Sequence, residues 1–390
     1  MLSATQVIEA FKARYDELPE VIVRAPGWVN LIGEHTDYNE GFGLAMAIER
    51  ATYIAASHRV DRLVRAYSRQ FEAEDRFTLE AIERSEVRPW ANAIRGVTKG
   101  FIARDLPLFG ANLLIDSELP LGSGLGGSAA LEVAVGYALQ LLNTISLLGE
   151  ELALLAHGAE QSFVGGESGI MGQFVAALGQ AGHALLIDCR DLSYRPLAMP
   201  TGVCVLLCDS GVRQEPAISS TIYQERQSEC AEAVRLLAPA LPSRITALRD
   251  VTPAALEAHA ALLSPDILAR ARHAVGENQR VLAAAEALAA ADRERFGALM
   301  YESHASLRYL YQVSLPELDL LVELAHRQPG CYGARMSGVG LGGNVICLVN
   351  ASSVESFSLS MTTAYQRESG REPLITAYTA SEGVGRAGSS

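Results

Sequence analysis

The feature that most constrains how this chain can fold is a glycine-rich segment at residues 120–132, PLGSGLGGSAALE. A mostly apolar run at 111–115 precedes it and predicts a strand, while residues 128–143 are apolar around most of their circumference and predict a buried helix. Four glycines within six residues let the backbone approach a ligand closely. At the start of a helix, free N–H groups and the positive dipole end favour an anion such as phosphate. The segment therefore predicts a phosphate-binding loop, with a tightly packed turn as the alternative.

Two common phosphate-binding motifs do not fit this segment. A P-loop requires Gly-Lys-Ser/Thr, and the only lysines of the chain are Lys12 and Lys99. The spacing Gly122-x-Gly124-x-x-Gly127 matches the dinucleotide fingerprint, but a Rossmann unit would continue with a parallel strand that ends in an acid. Residues 150–163 instead predict a second helix. Both motifs are therefore disfavoured.

Composition narrows the class of protein. The 390 residues, 49% of them hydrophobic, can bury one large or two ordinary cores. A formal net charge of −13 argues against binding to nucleic acids or to anionic membranes. The six cysteines show no CxxC or Cys/His ligand spacing and are typical of reduced thiols. With no signal peptide and no long apolar span, we expect a cytoplasmic protein, either monomer or homodimer.

A second segment, residues 25–39, is dense in hydrogen-bonding groups: APGWVNLIGEHTDYN. It follows a short predicted strand at 21–23 and contains Glu34, His35, Asp37 and Asn39 within six positions. Carboxylates beside an imidazole suit sugar hydroxyls, which both donate and accept hydrogen bonds. The apolar residues Trp28 and Leu31 would be unusual in a plain surface turn, so the pattern favours a ligand-binding loop.

The order of the other patterns indicates an α+β fold in two lobes. Strands are predicted at 43–57 and 63–67, and a helix at 89–105 leads to the phosphate loop. Strands at 184–188 and 203–209 are followed by helices from 221 to 326, a glycine-rich segment at 333–343, a strand at 345–349, a helix at 352–368 and a strand at 374–378. We assign residues 1–190 to a strand-rich first lobe and 191–390 to a helix-rich second lobe, and we expect 383–390 to be disordered.

Three segments together resemble the motifs of the GHMP small-molecule kinases. They are VNLIGEHTDYN at 29–39, PLGSGLGGSAA at 120–130 and GARMSG at 333–338, and the first is specifically similar to the galactokinases. The resemblance implies a two-lobed α+β fold with the active site between the lobes. It also implies ATP in the central loop, a Mg²⁺ ion, and a sugar as the second substrate.

The same resemblance implies roles for individual residues. Residues that match the family's galactose contacts are Glu34, His35, Asp37, Gly169 and Tyr223. The nucleotide loop corresponds to Gly122, Ser123, Gly124, Leu125, Gly126, Gly127 and Ser128. Ser128 and Glu160 match the Mg²⁺ ligands, and a hydroxyl and a carboxylate are hard oxygen donors that suit this ion.

The chain departs from the family pattern at the positions that carry the chemistry. Trp28 stands where the family has arginine, and Gly172 stands where it has the aspartate that takes the proton from the anomeric hydroxyl. Neither replacement can accept a proton or carry charge. The loop also has Gly126 and Gly127 where galactokinases usually have serines, and Val339 occupies a position where glycine is usual.

Three hypotheses about function remain open at this point. The first is an ATP-dependent sugar kinase that acts at the anomeric hydroxyl of galactose or a related sugar without the usual base. Phosphoryl transfer depends mainly on positioning and electrostatics, and a general base contributes about 10²–10⁴-fold. The second is a pseudokinase that binds sugar, nucleotide or both as a sensor or partner protein. The third is a different reaction on the same fold.

Overall fold

The helices and strands follow the apolar patterns of the sequence, and a computed structural model describes residues 2–165, 169–213 and 216–388. The α-helices are α1 (Ala4–Tyr15), α2 (Asn92–Ile102), α3 (Gly127–Leu142), α4 (Gly149–Ala159), α5 (Met171–Leu178), α6 (Pro216–Leu237), α7 (Pro253–Ala258), α8 (Pro265–Ala289), α9 (Arg293–Ser306), α10 (Pro316–His326) and α11 (Val354–Ser369). The strands are β1 (Val21–Ile32), β2 (Phe42–Arg59), β3 (Leu63–Ser68), β4 (Ala73–Thr78), β5 (Gly110–Ser117), β6 (His183–Asp188), β7 (Tyr194–Ala198), β8 (Val203–Asp209), β9 (Cys331–Ser337), β10 (Asn344–Asn350), β11 (Leu374–Tyr378) and β12 (Gly385–Arg386).

The chain forms two compact units, each built from separate stretches of sequence. The first unit comprises residues 1–29, 47–181 and 380–390, and the second comprises 30–46 and 182–379. These units differ from the lobes assigned above, 1–190 and 191–390, because residues 30–46 pack with the later part of the chain and residues 380–390 with the earlier part. The lobe boundary at residue 190 itself stays a prediction.

The first unit combines a mostly antiparallel sheet with a group of helices. Its strands follow the order β12-β1-β2-β5-β3-β4. β2 pairs antiparallel with β5 from Thr52 opposite Ser117 to Arg59 opposite Gly110, and β3 pairs parallel with β5. α3 packs against α2, α4 and α5 and is buried along most of its length. The buried helix predicted at 128–143 is thereby confirmed.

The second unit is built on a four-stranded antiparallel sheet of order β11-β8-β10-β9. Cys347 on β10 stands opposite Leu206 on β8 and Ala334 on β9, and all three are buried. α9 and α10 pack against β9, and α8 packs against α6 and α9. At the start of the unit, the first residues of β2 pair with β6, which also pairs with β7. Because β9 covers Cys331–Ser337, the glycine-rich segment predicted at 333–343 begins within a strand.

Several predictions about individual elements need correction. β1 continues through Ile32, so half of the expected ligand loop is strand, and β4 and β7 were not predicted. The expectation of a disordered end is wrong for residues 383–388, because Gly385 and Arg386 pair with β1. A two-residue strand at a sheet edge leaves no recognisable pattern in a short glycine-rich sequence. Residues 389 and 390 lie outside the described part of the chain. The α+β class is confirmed.

A membrane-crossing segment would need a long apolar helix. None of the helices in the described part of the chain is both long and apolar enough to cross a bilayer.

Candidate active site

The predicted phosphate loop joins β5 to α3 in the first unit. Gly122, Gly124 and Gly126 have φ angles of 66°, 71° and 73°, which side chains larger than hydrogen rarely tolerate. α3 begins at Gly127, directly after this left-handed turn, and Gly127 and Ser128 are exposed. The first N–H groups of an α-helix have no partner within the helix, so this end can receive an anion. The predicted order of strand, glycine loop and helix is confirmed.

Ser128 and Glu160 lie together at this helix start. The Ser128 hydroxyl donates a hydrogen bond to Glu160 Oε2 at 2.6 Å. The pair offers one hydroxyl and one carboxylate oxygen, and Mg²⁺ commonly completes such a partial set with water and phosphate oxygens. Among the described residues, no group of three or more His, Cys, Asp or Glu side chains could hold a metal ion by itself. The residues present therefore fit an ion that a nucleotide would share.

Glu132 is a site residue that sequence analysis missed. Its side chain is wholly buried, 3.3 Å from the Ser128 hydroxyl, and Gln173 Nε2 donates to it at 3.0 Å. Burial raises the pKa of the Glu132 carboxyl well above its usual range, and nearby Glu160 raises it further. Sequence analysis could have identified Glu132, because it is the one charged residue of α3.

A cavity of about 390 Å³ lies beside the phosphate loop, also within the first unit. Loop residues, including Gly122, Gly124 and Ser128, line it together with Phe71 and Trp90. The rings of Phe71 and Trp90 are stacked, with centroids 5.7 Å apart and planes 11° from parallel. Nothing in the sequence singled out these two aromatic residues.

Trp28 and Gly172, the two departures at catalytic positions, lie side by side. The Trp28 backbone N–H donates to the Leu125 carbonyl at 3.1 Å, next to the phosphate loop. A Cβ atom built on Gly172 would stand 2.7 Å from Trp28 Nε1. The indole thus packs against the start of α5, and neither position supplies an ionisable group.

The second segment singled out in the sequence forms a loop after β1, in the second unit, and Glu34 is fixed within it. Arg335 on β9 forms an ion pair with Glu34 Oε1 at 3.0 Å, and the Gly338 N–H donates to the same oxygen at 2.8 Å. The Arg335 side chain is wholly buried and also donates to the Asn30 carbonyl at 2.9 Å. Arg335 was missed as a site residue, although it lies in the GARMSG motif.

His35 belongs to a buried aromatic cluster in the same unit. The Tyr38 hydroxyl is hydrogen-bonded to His35 Nδ1 at 3.0 Å and to the Tyr311 hydroxyl at 2.5 Å. Burial lowers the pKa of His35 to about 3, and the positive charges of nearby groups contribute. The imidazole is therefore neutral near pH 7 and can serve as a hydrogen-bonding group without charge.

Asp37 and Tyr223, predicted from motifs 186 positions apart, are in contact. The Tyr223 hydroxyl donates to Asp37 Oδ2 at 3.1 Å. Burial raises the pKa of the Asp37 carboxyl, and burial followed by the charge of Asp37 raises the pKa of Tyr223. The structure thus brings together a carboxylate acceptor and a phenol donor, as the resemblance implied.

α8 braces the backbone of this loop from the far part of the sequence. His273 Nε2 is hydrogen-bonded to the Glu34 carbonyl at 3.2 Å, and the Gly33 N–H donates to Glu277 Oε1 at 3.1 Å. One residue further on, Asn278 Oδ1 accepts from the Phe42 N–H at 2.9 Å. These supporting residues were missed. In the sequence they are polar residues of a predicted helix. The sequence alone does not show that the face of α8 that carries them is buried.

The remaining predicted positions are Gly169 and Val339. Gly169 lies in the first unit, two residues before α5, and its role as a sugar contact stays a prediction. Val339 is 38% exposed, and it is not among the residues with positive φ. The valine in place of the usual glycine therefore fits without backbone strain.

Family models match three stretches of the chain. The galactokinase galactose-binding signature matches residues 9–58, the GHMP kinase N-terminal domain 92–180, and the GHMP kinase C-terminal domain 284–367. Among curated proteins, a galactokinase of Chloroflexus aggregans is 57% identical over 386 residues, with 98% of each chain covered. A galactokinase of Roseiflexus sp. is 51% identical and covers 99% of this chain and 98% of its own.

Solved structures agree with these matches. The Lactococcus lactis galactokinase complexed with galactose superposes with a TM-score of 0.93 at 31% identity, over 98% of this chain and 99% of its own. A mevalonate kinase from Methanococcus jannaschii gives a TM-score of 0.65 at 18% identity, over 93% and 98% of the two chains, and thus shares the fold.

Proposed function

Because this chain belongs to the galactokinase family of the GHMP kinases, we propose that it transfers the terminal phosphoryl group of ATP to the anomeric hydroxyl of galactose or a related sugar. The observation that carries the proposal is the loop of residues 33–41, the sugar loop, in which Glu34 and Asp37 are held by Arg335 of β9 and Tyr223 of α6. A chain that had abandoned its sugar would have no need to retain this arrangement. The alternative of a non-catalytic pseudokinase has no support from the comparisons.

Each residue of the sugar loop has a chemical task in this proposal. The Asp37 carboxylate accepts hydrogen bonds from sugar hydroxyls while the Tyr223 phenol holds its orientation. Glu34 offers its second oxygen, because the bonds described for it from Arg335 and Gly338 both reach Oε1. His35 is neutral, so it can bind a hydroxyl without paying the desolvation cost of a charge.

The nucleotide occupies the first unit in this proposal. The N-terminus of α3 and the loop around Gly122, Gly124 and Gly126 receive the phosphates, and the cavity that Phe71 and Trp90 border takes the base. Ser128 and Glu160 would hold Mg²⁺. When bound, this ion would neutralise charge on the phosphates.

The reaction proceeds without a strong base at position 172. In a loose transition state the hydroxyl needs little deprotonation at the moment of bond formation, so alignment and charge stabilisation supply most of the rate. The absence of a general base slows such an enzyme by about 10²–10⁴-fold without preventing turnover. We therefore expect a slow kinase.

The test is an ADP-release assay on a panel of sugars with ATP and Mg²⁺. Galactose should stimulate ADP release, and 1-deoxygalactose, which lacks the anomeric hydroxyl, should bind without stimulating release. Thermal shifts recorded in parallel show binding. If galactose and ATP both stabilise the protein but no sugar on the panel stimulates ADP release, the kinase proposal is wrong.

A further inference from the structure

Three departures from the family pattern meet at one side chain in the first unit. A Cβ atom on Gly126 would stand 2.1 Å from Trp28 Cδ1, and a Cβ atom on Gly172 would stand 2.7 Å from Trp28 Nε1. Distances below 3.0 Å between such atoms are essentially never seen. With the indole in this place, neither position can carry a side chain unless something moves.

Backbone conformation does not account for the glycine at position 172. Gly172 is the second residue of α5 and its φ is not positive, so alanine would suit the backbone and favour the helix. What alanine would meet is Trp28 and, at 3.1 Å, the Cβ of Ala129. A side chain at position 172 is therefore excluded by the packing of Trp28 and not by the backbone conformation of Gly172.

Trp28 also holds the phosphate loop. Its backbone N–H donates to the Leu125 carbonyl, and its ring lies against Gly126, which has the left-handed conformation from which α3 starts. A loop that is fixed before binding loses less conformational entropy when it binds. Contact through both backbone and ring restricts the loop at two adjacent residues.

We propose that Trp28 is a positioning residue for the phosphate loop and that its indole fills the space that side chains at 126 and 172 would need. The three departures are then coupled: the tryptophan excludes a carboxylate from position 172, its ring and the left-handed conformation of Gly126 both disfavour a side chain at 126, and its contacts restrict the loop. The positioning role rests on the proposed function for the identity of the ligand, whereas the steric part does not.

The steric part is tested by thermal unfolding of Gly172→Ala in two backgrounds, wild type and Trp28→Ala. The matched control is Gly158→Ala in α4, where a Cβ atom would meet nothing within 4 Å. We expect the control to leave the Tm unchanged or raise it, and Gly172→Ala to lower the Tm by several degrees in the wild type. In the Trp28→Ala background the same change should cost clearly less. An equal cost in both backgrounds, or no cost in the wild type, would overturn the steric part.

The positioning role is tested by calorimetry with ADP and Mg²⁺ and, separately, with galactose. Trp28→Ala should weaken ADP binding by about tenfold and leave galactose binding unchanged, and Trp28→Phe, which keeps an aromatic ring, should restore most of the ADP affinity. Equal losses for both ligands, an unchanged ADP affinity or absence of ADP binding by the wild type would each overturn this role. Calorimetry needs no turnover, so a wild type that binds ADP but releases none would contradict the proposed reaction and not this inference.

Discussion

At the scale of single residues, position 172 shows how a side chain decides which chemistry is open to a fixed backbone. The start of α5 is regular, and Met171 and Gln173, on either side of position 172, are both buried. The missing element is a carboxylate, and Trp28 occupies the space that it would enter. Restoring the base therefore requires two changes together.

We expect Trp28→Arg with Gly172→Asp to raise galactose-dependent ADP release by about 10²-fold or more, the lower end of what a positioned base contributes. Gly172→Asp alone should lower the Tm because its side chain meets the indole, and Trp28→Arg alone should gain little. The effects should thus be non-additive, as for residues in contact. A folded double variant that binds both ligands and gains nothing would place the deficit in alignment, at Gly126, Gly127 or Val339.

Asp37 carries the sugar contact that is easiest to isolate. Asp37→Ala removes the acceptor and leaves buried hydroxyls unpaired, which for bonds to a charged group costs about 1.5–3 kcal/mol, or about 10–100-fold in galactose affinity. Tyr223→Phe, which removes only the hydroxyl that donates to Asp37, should cost less. Calorimetry with galactose measures both, and an unchanged affinity in Asp37→Ala would contradict the assigned role.

At the scale of elements, α8 supports the sugar loop through a neutral histidine, His273, and a charged glutamate, Glu277. His273 and Ser306 share a hydrogen bond at 2.8 Å, while Glu277 is fixed by Ser303 at 2.6 Å and by Arg280 at 2.8 Å. Burial is the largest effect and would raise the pKa of Glu277, but Arg280, His273, Arg335 and the Ser303 hydrogen bond together outweigh it and lower this pKa to about 2. The Glu277 carboxylate is therefore charged in the folded protein. We refer to His273, Glu277 and their hydrogen-bond partners as the frame of the sugar loop.

Glu277→Gln should lower the free energy of unfolding by about 2–3 kcal/mol, because buried donors lose a charged acceptor. The matched control on the same helix is Glu286→Gln, whose side chain is exposed and should change stability by less than about 0.5 kcal/mol. Denaturant unfolding measures both. Equal effects of the two variants would show that Glu277 has no special part in the frame.

His273 makes the frame sensitive to acid. Burial lowers the pKa of His273 to about 4, although Glu277 opposes the shift. A histidine with a lowered pKa contributes stability that is complete above its unfolded value of about 6.5 and is lost as the pH falls toward 4. The Tm should fall over this window, and His273→Gln should remove part of that fall. A wild-type Tm that is constant between pH 7 and 4 would contradict this prediction.

The sequence allowed the phosphate loop, the buried helix α3 and most other helices to be predicted, because these depend on local patterns of glycine and apolar residues. Motif resemblance also placed Asp37 and Tyr223 in one site. The support from His273 and Glu277 could not be predicted, because it joins residues 239 and 244 positions apart. The resemblance implied that positions 28 and 172 lie together, since they match the family's catalytic pair, but it did not show that the indole would fill the space of a side chain at 172.

At the scale of the whole molecule, most residues proposed for the two ligands belong to different units. The proposed sugar residues Glu34, Asp37 and Tyr223 belong to the second unit, whereas the phosphate loop and the predicted sugar contact Gly169 belong to the first. Ligand effects on local stability should therefore be separable.

Hydrogen exchange provides the measurement. Galactose should protect amides of residues 33–41 and of α8, while ADP with Mg²⁺ should protect residues 120–130. Each ligand should leave the other stretch nearly unchanged when added alone. If ADP protected residues 33–41 and left 120–130 unchanged, the assignment of the nucleotide to the glycine loop would be wrong.

The interleaving of the two units has a consequence for synthesis on the ribosome. Residues 30–46 emerge early, but His273 follows Glu34 by 239 residues, which at about 5–20 residues per second is a delay of roughly ten to fifty seconds. The first unit must also wait for β12, because Arg386 of β12 pairs with Val23 of β1. Neither unit can be completed before its late strand, β11 or β12, has been synthesised, so apolar surface of both units stays exposed for that interval.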